Sequence, residues 1–313
     1  MKKILIPLVI IAVLLIVCTY IFIPGTIKVS KSLTINAPKD ALYRKLVNAG
    51  NWGEWWPEKQ KLHDTINGYV MNGIRFYPGE PKTLSLPVLF KAGDLSGTSE
   101  ITFIAEEIET TNLHYEVSIS ASVNPFKRIT AYNKAKKLAN QFSSMLTAIN
   151  NTYSDTKNLY DYDIQKKLVV DSTLIFTSVK IKGFPDNNSI YLLIDKLKNY
   201  INSNDAKETG SPMLNILTKD SITYLVKVAI PVDKKLPSFG DISYRWMLGG
   251  GNILITEVKG DQTEINNAHK QILNYIADYR RVAPAIPFES LITDRRKEQD
   301  SNKWVTRIYY PVK

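Results

Sequence analysis

The chain opens with twenty consecutive uncharged residues, Ile4 to Ile23, apolar on every helical face. At 1.5 Å per residue such a run matches the hydrocarbon thickness of a bilayer. Lys2 and Lys3 precede it and Pro24-Gly25 ends it, with no small-residue cleavage site near Cys18 to Ile21. The pattern predicts an uncleaved single-pass anchor over residues 1–25, with a cytoplasmic amino terminus. The rest of the chain is then extracytoplasmic. Alternation takes over at Thr26, where Ile27, Val29, Leu33 and Ile35 predict a half-buried strand. Ala37-Pro38-Lys39-Asp40 opens a helix whose apolar face is Leu42, Tyr43, Leu46 and Val47. Three tryptophans, Trp52, Trp55 and Trp56, follow within five residues. The segment from Tyr69 to Val123 reads as strands and turns. Ala131 to Asn150 reads as a long amphipathic helix with Ala135, Leu138, Phe142, Met145, Leu146 and Ile149 on one side. Residues 151–170 are polar and tyrosine-rich, a linker leading into a strand.

Beyond that linker the chain nearly repeats itself. Leu197 to Ile201 matches Ile272 to Ile276, and Pro212 to Thr218 matches Pro287 to Thr293 at the same offset. Lys180 to Gly183 matches Glu257 to Gly260, and Tyr224 to Val232 matches Trp304 to Val312. Each copy reads strand, helix, strand, strand. Two copies about a pseudo-twofold axis make one sheet with both helices on one face, and a ligand groove at the seam.

Composition narrows the function. Basic residues number 17 against 12 acidic up to residue 155, and 23 against 18 beyond it, an excess of five on each side. With no concentrated basic domain, nucleic acid is not an expected partner. A single cysteine, Cys18, excludes an intramolecular disulfide and a cysteine zinc site. The chain holds three histidines; His63 and His114 lie in unrelated segments. No metal or cofactor is expected. Gly249-Gly250-Gly251 lacks the lysine, the serine and the strand–helix context of a phosphate loop and reads as a turn.

Two resemblances add to this reading. Ile35-Asn36-Ala37-Pro38 and Asn51-Trp52-Gly53-Glu54-Trp55-Trp56-Pro57 resemble the opening of the SRPBCC superfamily, the START and polyketide-cyclase-like proteins. That resemblance implies a helix-grip domain over 26–155, with a sheet wrapped around the last helix and an apolar cavity between them. There is room for about five strands between Trp56 and that helix, one short of the usual pattern. Packing under the first helix is the plainer role for the three tryptophans.

Residues 156–313 resemble the GyrI-like effector-binding domain of AraC-type and multidrug-responsive regulators. The resemblance rests on Gly249 to Asn252, Glu257 to Gly260, Pro287 to Arg295 and Trp304 to Val312. No helix-turn-helix precedes it. The fold expected is thus α+β: an anchor helix, a helix-grip domain, and a duplicated β-α-β-β domain. The function expected is binding of a small hydrophobic or amphipathic ligand, with no catalytic residue assigned.

The candidate ligand residues are Glu257, Arg307, Trp304, Tyr309, Tyr310, Tyr224, Lys227 and Phe288. Relatives that capture lipophilic cations carry glutamate where this chain has Arg307, and the repeat mate of Arg307 is Lys227. That substitution implies a groove preferring anionic or neutral ligands. Alternation separates Trp304, Thr306, Ile308 and Tyr310 from Val305, Arg307 and Tyr309, without deciding which set lines the groove. Some GyrI-like domains hydrolyse strained small molecules. By that resemblance Glu257 would act as general base with Tyr309 or Tyr310 orienting. A structural envelope role is the third reading.

Overall fold

The computed structural model describes residues 2–58, 68–93 and 95–313, and in the first helix the side chains of Pro7 and of Ile10 onward. His63 lies outside the described residues. The chain forms two compact units, 1–159 and 160–313. Each is built on one antiparallel sheet.

The first unit begins with helix α1 (Lys2–Phe22). Among the described residues, no helix is long and apolar enough to cross a membrane, so the structure by itself does not support a spanning α1. Strand β1 (Thr26–Ile35) follows, then α2 (Lys39–Val47) and the short α3 (Trp52–Trp55). Next come β2 (Tyr69–Met71), β3 (Ile74–Pro78), β4 (Ser85–Ala92), β5 (Leu95–Ala105) and β6 (Thr111–Ser120). The sheet order is β1-β6-β5-β4-β3-β2, so β1 closes the meander by pairing with its last strand. Between the tryptophans and the long helix there are five strands among the described residues.

That helix, α4, runs Pro125–Tyr153, six residues earlier than its apolar face alone predicts. Asn124 caps it by accepting from the amides of Phe126 and Lys127, and Pro125 occupies the first turn. Leu138, Phe142, Met145 and Ile149 are fully buried, each contributing about 1.5–3 kcal/mol by leaving water. The ring of Phe142 stacks on Tyr115 of β6 at 3.8 Å between centroids. Side chains thus occupy the space between sheet and helix. Burial pushes the Tyr115 hydroxyl well above the usual phenol range. The tryptophans are core: Trp52 donates to Leu46 O at 2.7 Å, Trp56 donates to Val70 O at 2.8 Å, and their rings stack.

Residues 151–170 are not an unstructured linker. They hold α5 (Thr156–Tyr160) and an edge strand, β7 (Gln165–Leu168), which pairs with β12. The first repeat is β8 (Ser172–Lys182), α6 (Asn187–Ser203), β9 (Met213–Thr218) and β10 (Thr223–Val232). After β11 (Ser243–Met247) the second is β12 (Asn252–Lys259), α7 (Gln262–Asp278), β13 (Phe288–Leu291) and β14 (Val305–Val312). Both repeat helices have seventeen residues and an aspartate N-cap, Asp186 and Asp261. The glycine run is a turn between β11 and β12, with Gly250 at φ +85.

The eight strands order β11-β8-β10-β9-β13-β14-β12-β7. The copies meet where β9 pairs with β13, and there Leu214 lies opposite Glu289. Those two residues are each other's repeat mates, so the pseudo-twofold axis passes between them. In β14, Thr306, Ile308, Tyr310 and Val312 are buried while Arg307 is exposed. In β10 the mates Val226, Val228, Ile230 and Val232 are buried.

Candidate functional site

A groove of about 290 Å³ opens beside that axis. The amino-terminal half of α7 supplies Asn266 and His269, β9 supplies Leu214 to Thr218, and β13 supplies Phe288 and Glu289. Phe184, Tyr224 and Tyr310 complete the wall. Phe184 and Tyr224 meet edge to face, with centroids 5.5 Å apart.

Three polar groups converge here. Tyr310 Oη lies 2.9 Å from His269 Nδ1, and His269 Nε2 lies 3.0 Å from Glu289 Oε1. A carboxylate only accepts, so in the neutral imidazole Nε2 carries the proton and Nδ1 accepts from the Tyr310 hydroxyl. The His269 and Glu289 side chains are 23% and 15% exposed, open enough to meet a ligand. Burial, with Glu289 adding to it, raises the Tyr310 hydroxyl above the usual phenol range, so it is a neutral donor at physiological pH. Arg295, buried behind β14, donates to Thr306 Oγ1 at 3.0 Å. Its guanidinium feels the Glu289 charge, although burial lowers its own affinity for a proton.

The duplication gives this trio its meaning. The mates of His269, Glu289 and Tyr310 are Ile194, Leu214 and Ile230. All three mates are buried in one apolar core cluster. The same fold position is thus filled by hydrocarbon in one repeat and by a hydrogen-bonded acid, base and phenol in the other. Packing alone does not require the polar set. The spare hydrogen-bonding capacity beside the trio includes acceptors. Glu289 Oε2 has no hydrogen-bond partner among the described residues. Asn215 donates through Nδ2 to Pro287 O at 2.8 Å, while its Oδ1 is buried without a partner. Among the described residues no lysine or arginine lines the groove.

A second groove of about 400 Å³ occupies the pseudo-symmetric place, against α6, with Tyr191, Ile194 and Leu291 in its wall. Its charged groups already pair. Lys198 meets Glu208 at 3.3 Å, and Arg296 meets Asp195 at 2.6 Å and Asp294 at 3.3 Å. The two grooves therefore differ: one holds free acceptors and the other a closed set of ion pairs.

Of the residues singled out from the sequence, Tyr224, Phe288 and Tyr310 line the first groove. The others lie elsewhere. Arg307 and Glu257 form an ion pair at 2.8 Å, about half exposed, directly opposite each other on β14 and β12. They face away from Tyr310, because alternation sends neighbours in β14 to opposite sides. The structure therefore does not bring Glu257 to Tyr310. Tyr309 stacks on Phe288 at 4.6 Å. Trp304 precedes β14, donates to Glu298 O and carries the Arg295 guanidinium over its ring. Lys227, on β10 opposite Asn215 and Ser178, is half-buried outside the groove wall. His269 and Glu289 were not among the residues the sequence pointed to. The signal was available in the repeat itself, where Ile194, Leu214 and Ile230 are matched by ionisable or phenolic residues.

Among the described residues no cluster of histidine, cysteine, aspartate and glutamate could hold a metal ion. Family models match nowhere in the sequence, and no curated protein matches it. Among solved structures, the chain is similar to the EcmrR C-terminal domain, with 18% identity and a TM-score of 0.42 over 49% of this chain and 98% of that one. It is similar to SAV2435 bound to tetraphenylphosphonium, with 14% identity and a TM-score of 0.35 over 48% and 94%. It is also similar to a hydrolase from Listeria innocua, with 11% identity and a TM-score of 0.36 over 49% and 92%. Likenesses at these identities concern the fold alone.

Proposed function

We propose that the protein is a membrane-anchored small-molecule-binding protein whose ligand enters the groove between α7 and β9. The second unit is then a GyrI-like domain, and the first an SRPBCC-like helix-grip module. One observation carries the ligand reading: His269, Glu289 and Tyr310 stand where the other repeat keeps Ile194, Leu214 and Ile230. The element order β1, α2, α3, five strands and α4 supports the helix-grip reading.

The anchor reading rests on the sequence run Ile4 to Ile23. Lys2 and Lys3 favour a cytoplasmic amino terminus and extracytoplasmic units. The even charge of the two halves speaks against nucleic acid as partner.

The charge preference expected from Arg307 changes with the geometry. Arg307 is outside the groove and paired, whereas Glu289 is inside. A ligand that donates hydrogen bonds suits the partly exposed Glu289, with a flat apolar part against Phe184 and Tyr224. Neutral or singly cationic donors are therefore favoured over carboxylates. Saturation-transfer NMR with 2-naphthylmethylamine, 2-naphthylmethanol and 2-naphthoate tests this. The amine and alcohol should receive saturation and the carboxylate should not; the reverse order would overturn the reading.

A further inference from the structure

The carboxyl end of α1 is tied to the first unit at several points. The Tyr20 hydroxyl donates to the Val123 carbonyl. Arg128, buried in the first turn of α4, donates through Nε to Ile23 O at 2.8 Å, and its guanidinium lies 4.8 Å from the Tyr20 ring centroid. Ala121 N donates to Gly25 O at 2.8 Å. A cation thus satisfies an open carbonyl at the negative end of the α1 dipole. These ties fix the connection between β6 and α4 beside the last turn of α1.

The level of that connection follows from helix geometry. Tyr20 lies three residues before Ile23, about 4.5 Å along the axis toward the apolar run. Val123, whose carbonyl Tyr20 reaches, therefore lies within one tyrosine side chain of the last turn of α1. Apolar side chains are exposed here beside Asn124, Lys127 and Thr130. Val123 is 84% exposed, Phe126 77% and Ile129 41%. Phe126 and Ile129 are three apart in α4 and share a face. Lys127 lies exposed between them. Exposed hydrophobics scattered singly are ordinary on a soluble surface, but a cluster marks an interaction site.

We propose, resting on the anchor reading above, that the β6–α4 connection and the first turn of α4 are seated in the membrane interface. Val123, Phe126 and Ile129 enter the boundary between headgroups and acyl chains, and Lys127 reaches the phosphates. The partner is the lipid surface itself, continuous with the one α1 crosses. This second contact holds the first unit in one orientation. The turn between β5 and β6, where Ile108 is also exposed, then points away from the bilayer. Thr26 pairs with Ser120 at the near end of the sheet and Ile35 with Thr111 at the far end. Nine steps of strand place that turn about 30 Å farther out.

The test uses the full-length chain with Cys18→Ala, reconstituted in phosphatidylcholine–phosphatidylglycerol vesicles. Val123→Cys, Phe126→Cys and Ile108→Cys are each labelled with an environment-sensitive nitrobenzoxadiazole dye. All three sites are exposed, so folding is preserved, and a thermal melt of each form checks it. The expected result is blue-shifted emission at positions 123 and 126, quenched by lipids carrying a nitroxide near the headgroup, with water-like emission at 108. Water-like emission at 123 and 126 from protein that floats with the vesicles overturns the seating and leaves the anchor intact. Protein that fails to float overturns the anchor and the seating with it.

Discussion

Removing one member of the His269–Glu289–Tyr310 trio should harm stability more than removing all three. In Glu289→Ala, His269 Nε2 loses its acceptor at 3.0 Å while the imidazole stays held by Tyr310. An orphaned buried donor costs about 1–3 kcal/mol. With His269 and Glu289 partly exposed, water recovers some of this, and the expected loss is about 1–2 kcal/mol. The triple replacement His269→Leu, Glu289→Met, Tyr310→Phe keeps the volumes and removes the three hydrogen-bonded groups together, while Arg295 keeps its bond to Thr306. The other repeat already packs Ile194, Leu214 and Ile230 there. The triple variant should therefore lie within about 1 kcal/mol of the parent, or above it. Urea titration read by hydrogen exchange of peptides covering β9, β13 and β14 isolates the second unit. A triple variant that loses as much as Glu289→Ala would show that the trio serves the fold, and the functional argument would fail.

Arg307→Glu sets two carboxylates opposite each other on β12 and β14. Because the parent pair is about half exposed, stability should fall by no more than about 1 kcal/mol in urea titration, with saturation transfer to 2-naphthylmethylamine unchanged. Phe142→Ala empties the centre of the first unit, where its ring stacks on Tyr115. It should cost about 3–5 kcal/mol in chemical denaturation, read on peptides of α4 and β6, while those of β13 and β14 keep their protection. Burial and Glu264 push the Tyr162 hydroxyl up to about 12, and burial raises Tyr115 further. Phenols raised in the folded state contribute stability that is full below the ordinary value of about 10. That stability is lost as pH rises through about 12. In ultraviolet difference titration of the parent against Tyr162→Phe and Tyr115→Phe, neither substitution should remove an ionisation near 10; loss of an ordinary ionisation near 10 in either variant would refute it.

The elements were largely legible in the sequence, because periodicity reports burial on one face. The odd-position apolar residues of β1, the apolar face of α4 and the β-α-β-β duplication all follow from that rule. The early start of α4 was missed because its first turns carry an exposed Phe126 and a buried Arg128, which invert the usual pattern. The cap at Asn124-Pro125 was the better signal. Strand β7 was hidden for the opposite reason: all four of its residues are exposed, so it has no buried face to read. The site was legible only in part. Aromatic residues drew attention to Tyr224, Phe288 and Tyr310, but charge drew it to Glu257 and Arg307. Those two neutralise each other on the outer face of the sheet. Glu289 and His269 come together across 20 residues and two elements, and only the comparison of repeats, position by position, exposes them.

The most direct test of the ligand reading is saturation transfer from full-length protein to 2-naphthylmethylamine, compared among the parent, the His269→Leu, Glu289→Met, Tyr310→Phe variant, and Arg307→Glu. The account predicts transfer from the parent and from Arg307→Glu, and its loss in the triple variant despite parent-like stability. Transfer that persists in the triple variant, or is absent from the parent, would contradict it.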